Sequence, residues 1–154
     1  MIDVQQFRAD VVRYALQHTR TWSPAAERLM MGTAAVESGF RSIRQLGNGP
    51  ALGFFQVEPQ TRNDIHVHYL AFHQSMKERV ADLQIPSLPL DRQLIVNLAY
   101  STAIARLVYF RRPEPLPEAE DDKGLAAYWK QHYNTPLGKG TEAKFLKALR
   151  KHGL

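Results

Sequence analysis

The sequence predicts a mainly α-helical chain with at most a small hairpin, and three observations predict it. Apolar residues recur at three- and four-residue spacing over most of the 154 residues. One stretch, DRQLIVNLAYSTAIARLVYF at 91–110, carries charge only at Asp91, Arg92 and Arg106, as a helix buried on most sides would. Residues 39–59 are the least helical part, with four Gly and two Pro that leave room for only a short hairpin.

The elements follow in order. Residues 3–18 read as an amphipathic helix capped by Asp3, with Val4, Phe7, Val11, Tyr14 and Ala15 facing the core. Ser23-Pro24 opens a second helix, because the hydroxyl satisfies an orphan N–H and Pro has none to lose. It runs to Glu37 or Ser38, with Leu29, Met30, Thr33, Ala34 and Val36 apolar, and Gly39 stops it. Residues 61–83 return to helical spacing through Ile65, Tyr69, Phe72, Met76 and Val80, until IPSLPL breaks the pattern. The helix at 91–110 would span about 30 Å at about 1.5 Å per residue. A Pro-rich acidic loop at 113–122 follows, then helices at 123–133 (Leu125, Ala126, Tyr128, Trp129) and 141–152. The last places Phe145, Ala148 and Leu149 inward and Lys144, Lys147 and Lys151 outward.

This length suits one domain, 1–154, with a sizeable core, and an apolar share of 44% with 23% charged residues suits a globular protein. With no cysteine there is no disulfide framework and no thiolate chemistry. MIDVQQFRAD has an early acid and no apolar run, so no signal peptide is expected. No stretch reaches the roughly 20 apolar residues of a membrane span. The net charge of +5 understates the basic surface, because five of the 15 acids sit in PEPLPEAEDD, leaving 20 bases against ten acids elsewhere. Such a surface favours a polyanion: nucleic acid, an anionic membrane, or a cell wall with acidic peptides.

The chemistry concentrates in GTAAVESGFRSIRQLGNGPALGFFQVEPQT, residues 32–61. Glu37 sits near a helix C-terminus, where the dipole disfavours a negative charge. It shares a helical face with Met30, Thr33 and Ala34, so its carboxyl is expected to be partly desolvated. Both effects raise a carboxyl pKa towards the range a general acid needs. A solvated Glu in a last helical turn is the plainer reading of the position alone. Ser38 reads equally as a helix-end polar residue or a ligand, and Gln56 offers an amide to an N-acetyl group or to Glu37. Gly53 and its neighbours allow backbone to approach a sugar. His66 and His68 point about 200° apart on a helix and cannot share an ion, so no metal site is expected, nor any cofactor.

Glu37-Ser38-Gly39-Phe40, then Gly53-Phe54-Phe55-Gln56-Val57-Glu58-Pro59, resembles the signature of the soluble lytic transglycosylases. That family writes Glu-Ser-x-Phe, a variable loop, then Gly-Leu-Met-Gln-x-Met-Pro, with Phe here replacing Leu and Met. The resemblance implies a lysozyme-like fold and makes Glu37 the catalytic carboxylate, acid and then base, in cleavage next to N-acetylmuramic acid. The family's Ala-Tyr-Asn motif, whose Tyr reaches toward the catalytic Glu, matches His132-Tyr133-Asn134 inexactly. The loop is also similar to that of goose-type lysozymes through Gly47-Asn48-Gly49 and Gln56-Val57-Glu58. A further acid of that family corresponds to Gln45 and is absent. Glu58 could serve as a base for water in inverting hydrolysis, or merely start the helix that Pro59 opens.

The expected function is thus peptidoglycan glycan-strand cleavage, with Glu37 and Glu58 as candidate catalytic residues. Ser38, Gly53, Gln56, Tyr133 and Asn134 are the candidate substrate contacts. Tyr100, Tyr109 and Trp129 could stack on sugars, though in helices such residues are more often core. The resemblance suits a phage lysin or virion-associated lysozyme: a monomer acting at the cell wall or periplasm, with other virion proteins as further partners and neither nucleic acid nor membrane insertion required. Two rival readings stand beside it. One is a glycan-binding or virion structural domain of the same fold without turnover. The other is a basic nucleic-acid binder, whose affinity would fall steeply with salt.

Overall fold

A computed structural model describes residues 1–154. It is mainly helical, with no extended sheet. Helix α1 comprises Val4–Gln6, a π-type segment Phe7–Val12 and Arg13–His18; α2 is Pro24–Ser38. Then come α3 (Pro59–His68), α4 (Gln74–Asp82), α5 (Leu90–Val96) and α6 (Leu98–Phe110). Helix α7 is Asp122–Trp129, continued by a π-type turn Lys130–Asn134, and α8 is Glu142–Lys151.

Helix α6 is the hub. Every residue from Tyr100 to Tyr109 is buried, and the helix touches α1, α2, α3, α5 and the end of α7. One core of 31 buried residues runs from Phe7 to Leu149. One close approach fixes how α8 and α2 meet. A Cβ on Gly32 would lie 2.4 Å from Cζ of Phe145, so the ring lies directly on the α2 backbone. No helix is long and apolar enough to cross a membrane.

Three elements depart from the sequence pattern, each for a local reason. In α1 the π-type segment inserts one residue into the helical phase. The buried set becomes Phe7, Val12, Ala15 and Leu16, while Tyr14 is exposed and stacks on His18 at 6.0 Å. The 61–83 pattern divides at Tyr69–His73, where a 3₁₀ turn at Leu70–Phe72 separates α3 from α4 and leaves Phe72 exposed.

The long 91–110 helix is two helices. Asn97 adopts extended backbone, accepts from the Tyr100 N–H at 3.1 Å, and donates to the Leu83 carbonyl at 2.7 Å. An Asn at this point ends α5 and caps α6 in one stroke. Buried Gln93 supports the break by bonding Ile85 N–H, Ile85 C=O and Leu88 C=O, which holds the IPSLPL turn closed.

The acidic loop is tied down. Arg28 of α2 bonds the Ala119 carbonyl at 2.8 Å and pairs with Asp122. Tyr128 donates to the Glu114 carbonyl at 2.9 Å.

Candidate functional site

The block between α2 and α3 holds two isolated antiparallel bridges, Arg44 with Leu52 and Leu52 with Val57. This is the reduced form of the expected hairpin. Leu52 and Val57 exchange both backbone hydrogen bonds, at 2.9 and 3.0 Å. Gly53 to Gln56 therefore form a tight turn, with positive φ at Gly53 (75°) and Gln56 (49°). Phe7 anchors that turn, meeting Phe54 at 5.7 Å and Phe55 at 6.2 Å between ring centroids. Aromatic rings at 54 and 55 thus bind the turn to α1.

Gln45 clasps the glycine-rich loop. Its N–H donates to the Ala51 carbonyl at 2.9 Å, and its side-chain Oε1 accepts from the Ala51 N–H at 3.1 Å. Gly49 lies so close that a Cβ there would be 2.1 Å from the Gln45 amide. Gln45 is thus a loop fastener.

Glu37 lies in the last turn of α2 and lines a cavity of about 410 Å³ together with Ser38, Ser42, Gln45, Leu46 and Gln56. It is the only acid there. Burial pushes its carboxyl up to about 7, against a hydrogen bond from the Trp129 indole N–H to Oε1 at 3.0 Å that pulls the other way. A carboxyl poised there is half protonated near neutrality and can both give and take a proton.

Glu58 lines a different cavity, of about 330 Å³, with Gln56, Val57, Thr61, Val108, Tyr133, Asn134 and Thr135. Gln56 borders both, so the two cavities adjoin through its side chain. Glu58 is exposed and occupies the N-cap position of α3 without making a side-chain cap bond.

The remaining candidates are already engaged. Ser38 donates its hydroxyl to the Ala34 carbonyl at 3.0 Å and accepts from the Phe40 N–H at 3.2 Å. Gln56 turns its Nε2 onto the Gly53 carbonyl at 2.8 Å rather than onto Glu37, leaving Oε1 free. Tyr133 donates to the Phe55 carbonyl at 2.6 Å, tying the end of α7 to the Gly53–Gln56 turn. Asn134 accepts from Lys130 at 2.8 Å and packs under Gly138 and Gly140, where a Cβ would come within 2.6 Å of it. Its visible work is to brace the 135–140 loop.

Compared with models of known families, with curated proteins and with solved structures, the chain matches none.

Trp129, which the sequence offers only as sugar platform or core, has a further place in the site. It is buried, yet it reaches Glu37 across 92 residues of chain. A signal existed: an indole N–H inside a buried helix must find an acceptor. Which acceptor depends on how α7 crosses α2.

Tyr109 is likewise internal. Thr33 spends its hydroxyl proton on the Leu29 carbonyl at 2.7 Å, so the Tyr109 hydroxyl must donate to Thr33, also at 2.7 Å. Its ring stacks on Tyr133 at 5.1 Å, and burial, with the nearby Glu37 charge, raises both phenols well above their ordinary range.

The histidines lie apart. His66 is half-buried and meets the Tyr100 hydroxyl at 2.8 Å, His68 is exposed, and His73 bonds the Tyr69 carbonyl. No group of three or more metal-ligating side chains occurs.

Proposed function

We propose that this protein cleaves peptidoglycan glycan strands between N-acetylmuramic acid and N-acetylglucosamine by lytic transglycosylase chemistry. The observation that carries the proposal is Glu37: a single carboxyl in its cavity, with a pKa of about 7. Its proton goes to the glycosidic oxygen as the bond to the anomeric carbon breaks. The resulting carboxylate then removes the proton from the muramyl residue's own hydroxyl, which closes on the anomeric carbon. The products are an anhydro sugar end and a new free hydroxyl, and Glu37 is again protonated.

Several features support this reading. Gln45 brings no charge to the cavity, so water lacks a second carboxylate beside Glu37. The free Oε1 of Gln56 can accept from an acetamido N–H. A basic surface outside residues 113–122 suits a wall bearing acidic peptides. No residue of the acidic loop lines either cavity, so its charge does not repel substrate there. The setting that fits such a chain is a phage lysin or a virion-associated enzyme acting at the bacterial wall.

Glu58 supports a muramidase variant of the same proposal, because it faces the adjoining cavity with its carboxylate uncommitted to a cap. Mass spectrometry of purified peptidoglycan digested by the native protein and by Glu37→Gln separates the readings. Anhydro-muropeptides from the native protein alone are the expected result. Ordinary reducing ends would move the base role to Glu58, to be checked with Glu58→Gln. Wall binding without product from either protein would make this a glycan-binding domain, and salt-sensitive DNA binding independent of Glu37 would point to nucleic acid.

A further inference from the structure

Glu37 has two carboxyl oxygens in unlike settings. Oε1 receives the Trp129 indole N–H at 3.0 Å. Oε2 has no protein partner, and it is not among the buried polar atoms left without one, so it opens to the cavity that Glu37 lines. An indole N–H can only donate. It therefore selects the carbonyl-like oxygen of a protonated carboxyl and leaves the hydroxyl to the other.

The indole is held from both sides. A Cβ on Gly140 would lie 2.5 Å from its Cη2, so the 135–140 loop presses directly on the ring. Phe145 packs against it at 5.6 Å between centroids, and Phe145 in turn lies on the bare backbone of Gly32 in α2. The helix that carries Glu37 and the ring that grips it are thus braced through one shared side chain. A fixed donor costs little reorganisation when the proton moves.

We infer that Trp129 is the positioning residue for Glu37, holding Oε1 as acceptor so that the transferable proton sits on Oε2 and faces the cavity. The inference rests on the proposed role of Glu37 as acid and base, but the contact itself can be tested without any substrate.

The protein supplies its own control. Its two tryptophans both donate to a glutamate: Trp22 to Glu27 at 2.9 Å, and Trp129 to Glu37. Glu27 stays ionised, its carboxyl held at about 2, whereas Glu37 titrates near 7. The other titratable groups close to Glu37 are Tyr109 of α6, Tyr133 at the end of α7, and His152 beyond α8, whose Nε2 lies 3.9 Å from the Cβ position of Gly39. Both phenols are raised out of the neutral range, and burial lowers the His152 pKa.

The experiment is a pH titration of the two indole N–H resonances in ¹⁵N-labelled native protein, assigned with Trp22→Phe and repeated in Glu37→Gln. The Trp129 resonance should shift with a midpoint near 7 in the native protein and stand still in Glu37→Gln, while Trp22 stays flat from pH 5 to 9. A flat Trp129 resonance in the native protein, or the same shift in Glu37→Gln, overturns the inference and leaves the proposed activity untouched.

If the native protein cleaves peptidoglycan, Trp129→Phe should lower kcat/KM about tenfold and move the high-pH fall in activity upward, because the donor that favours the carboxylate is gone. An unchanged pH profile in a folded Trp129→Phe also overturns it. A titrating indole in a protein that cleaves nothing removes Trp129's catalytic purpose along with the enzyme reading.

Discussion

A Cβ on Gly53 would lie 2.0 Å from the carbonyl oxygen of Leu94, so the Gly53–Gln56 turn meets helix α5 backbone to backbone. Leu94 lies in the last turn of α5, just before the break at Asn97 that separates α5 from α6. It seats the turn carrying Gln56 at the junction of the two cavities.

Gly53→Ala therefore faces two penalties. The positive φ costs an L-residue about 1–2 kcal/mol, and overlap with a rigid carbonyl adds about 1–3 kcal/mol. A loss of about 2–5 kcal/mol is expected, which for a chain of this size lowers Tm by about 2–4 °C for each kcal/mol. Thermal unfolding followed by circular dichroism checks this, and a variant as stable as the native protein would deny the close approach.

Glu37 should make the protein less stable as pH rises. Its folded pKa, about 7, lies above the ordinary 4.5, so the folded state holds the proton more tightly than the unfolded chain. Stability is full below about pH 4.5 and is lost as pH rises through about 7, by on the order of 3 kcal/mol. Glu37→Gln keeps an acceptor for Trp129 and removes the charge. It should melt above the native protein at pH 8 and level with it at pH 4.5. If Glu37 is the general acid proposed above, cleavage should also decline as pH rises through 7, because its proton is then lost.

Glu27 has the opposite sign. Burial alone would raise its pKa, but hydrogen bonds from Arg13, Trp22 and Arg8 outweigh that and hold it at about 2. Its stabilisation is complete above the ordinary 4.5 and disappears as pH falls toward 2. Glu27→Gln strips two arginines of their counter-charge and should cost about 3 kcal/mol at pH 7. Denaturant titrations at pH 7 and pH 3 should show a gap that narrows in acid. A pH-independent gap would mean that the charge is irrelevant.

Arg28→Ala should release the acidic loop without touching the chemistry. The guanidinium holds Ala119 and Asp122, far along α2 from Glu37. Limited proteolysis is expected to cut within 113–122 several-fold faster in the variant, with the proposed peptidoglycan cleavage, where the native protein shows it, unchanged. Equal cutting rates would show that Tyr128 and its bond to Glu114 suffice.

Much of the helical frame was legible because its signals are local. Ser23-Pro24 opens α2 and Gly39 closes it with a left-handed φ of 59°. Leu125, Ala126, Tyr128 and Trp129 are all buried, as are Phe145 and Leu149 with the lysines of α8 outside. The failures are also local. Periodicity cannot register the one-residue insertion in α1, and an apolar run hides the capping function of Asn97, although Asn is among the strongest N-cap residues.

By itself the sequence determined the helical class, the central buried helix and the position of Glu37 in a last helical turn before a glycine-rich loop, since spacing, caps and glycine punctuation act within a few residues. Only the tertiary structure decided what surrounds that carboxyl. Trp129 comes to Glu37, Gln45 and Gln56 turn to neighbouring backbone, and Tyr133 bonds Phe55. Each partner is set by how distant helices cross, and desolvation, which moves the Glu37 pKa, belongs to the packed core and to no single residue.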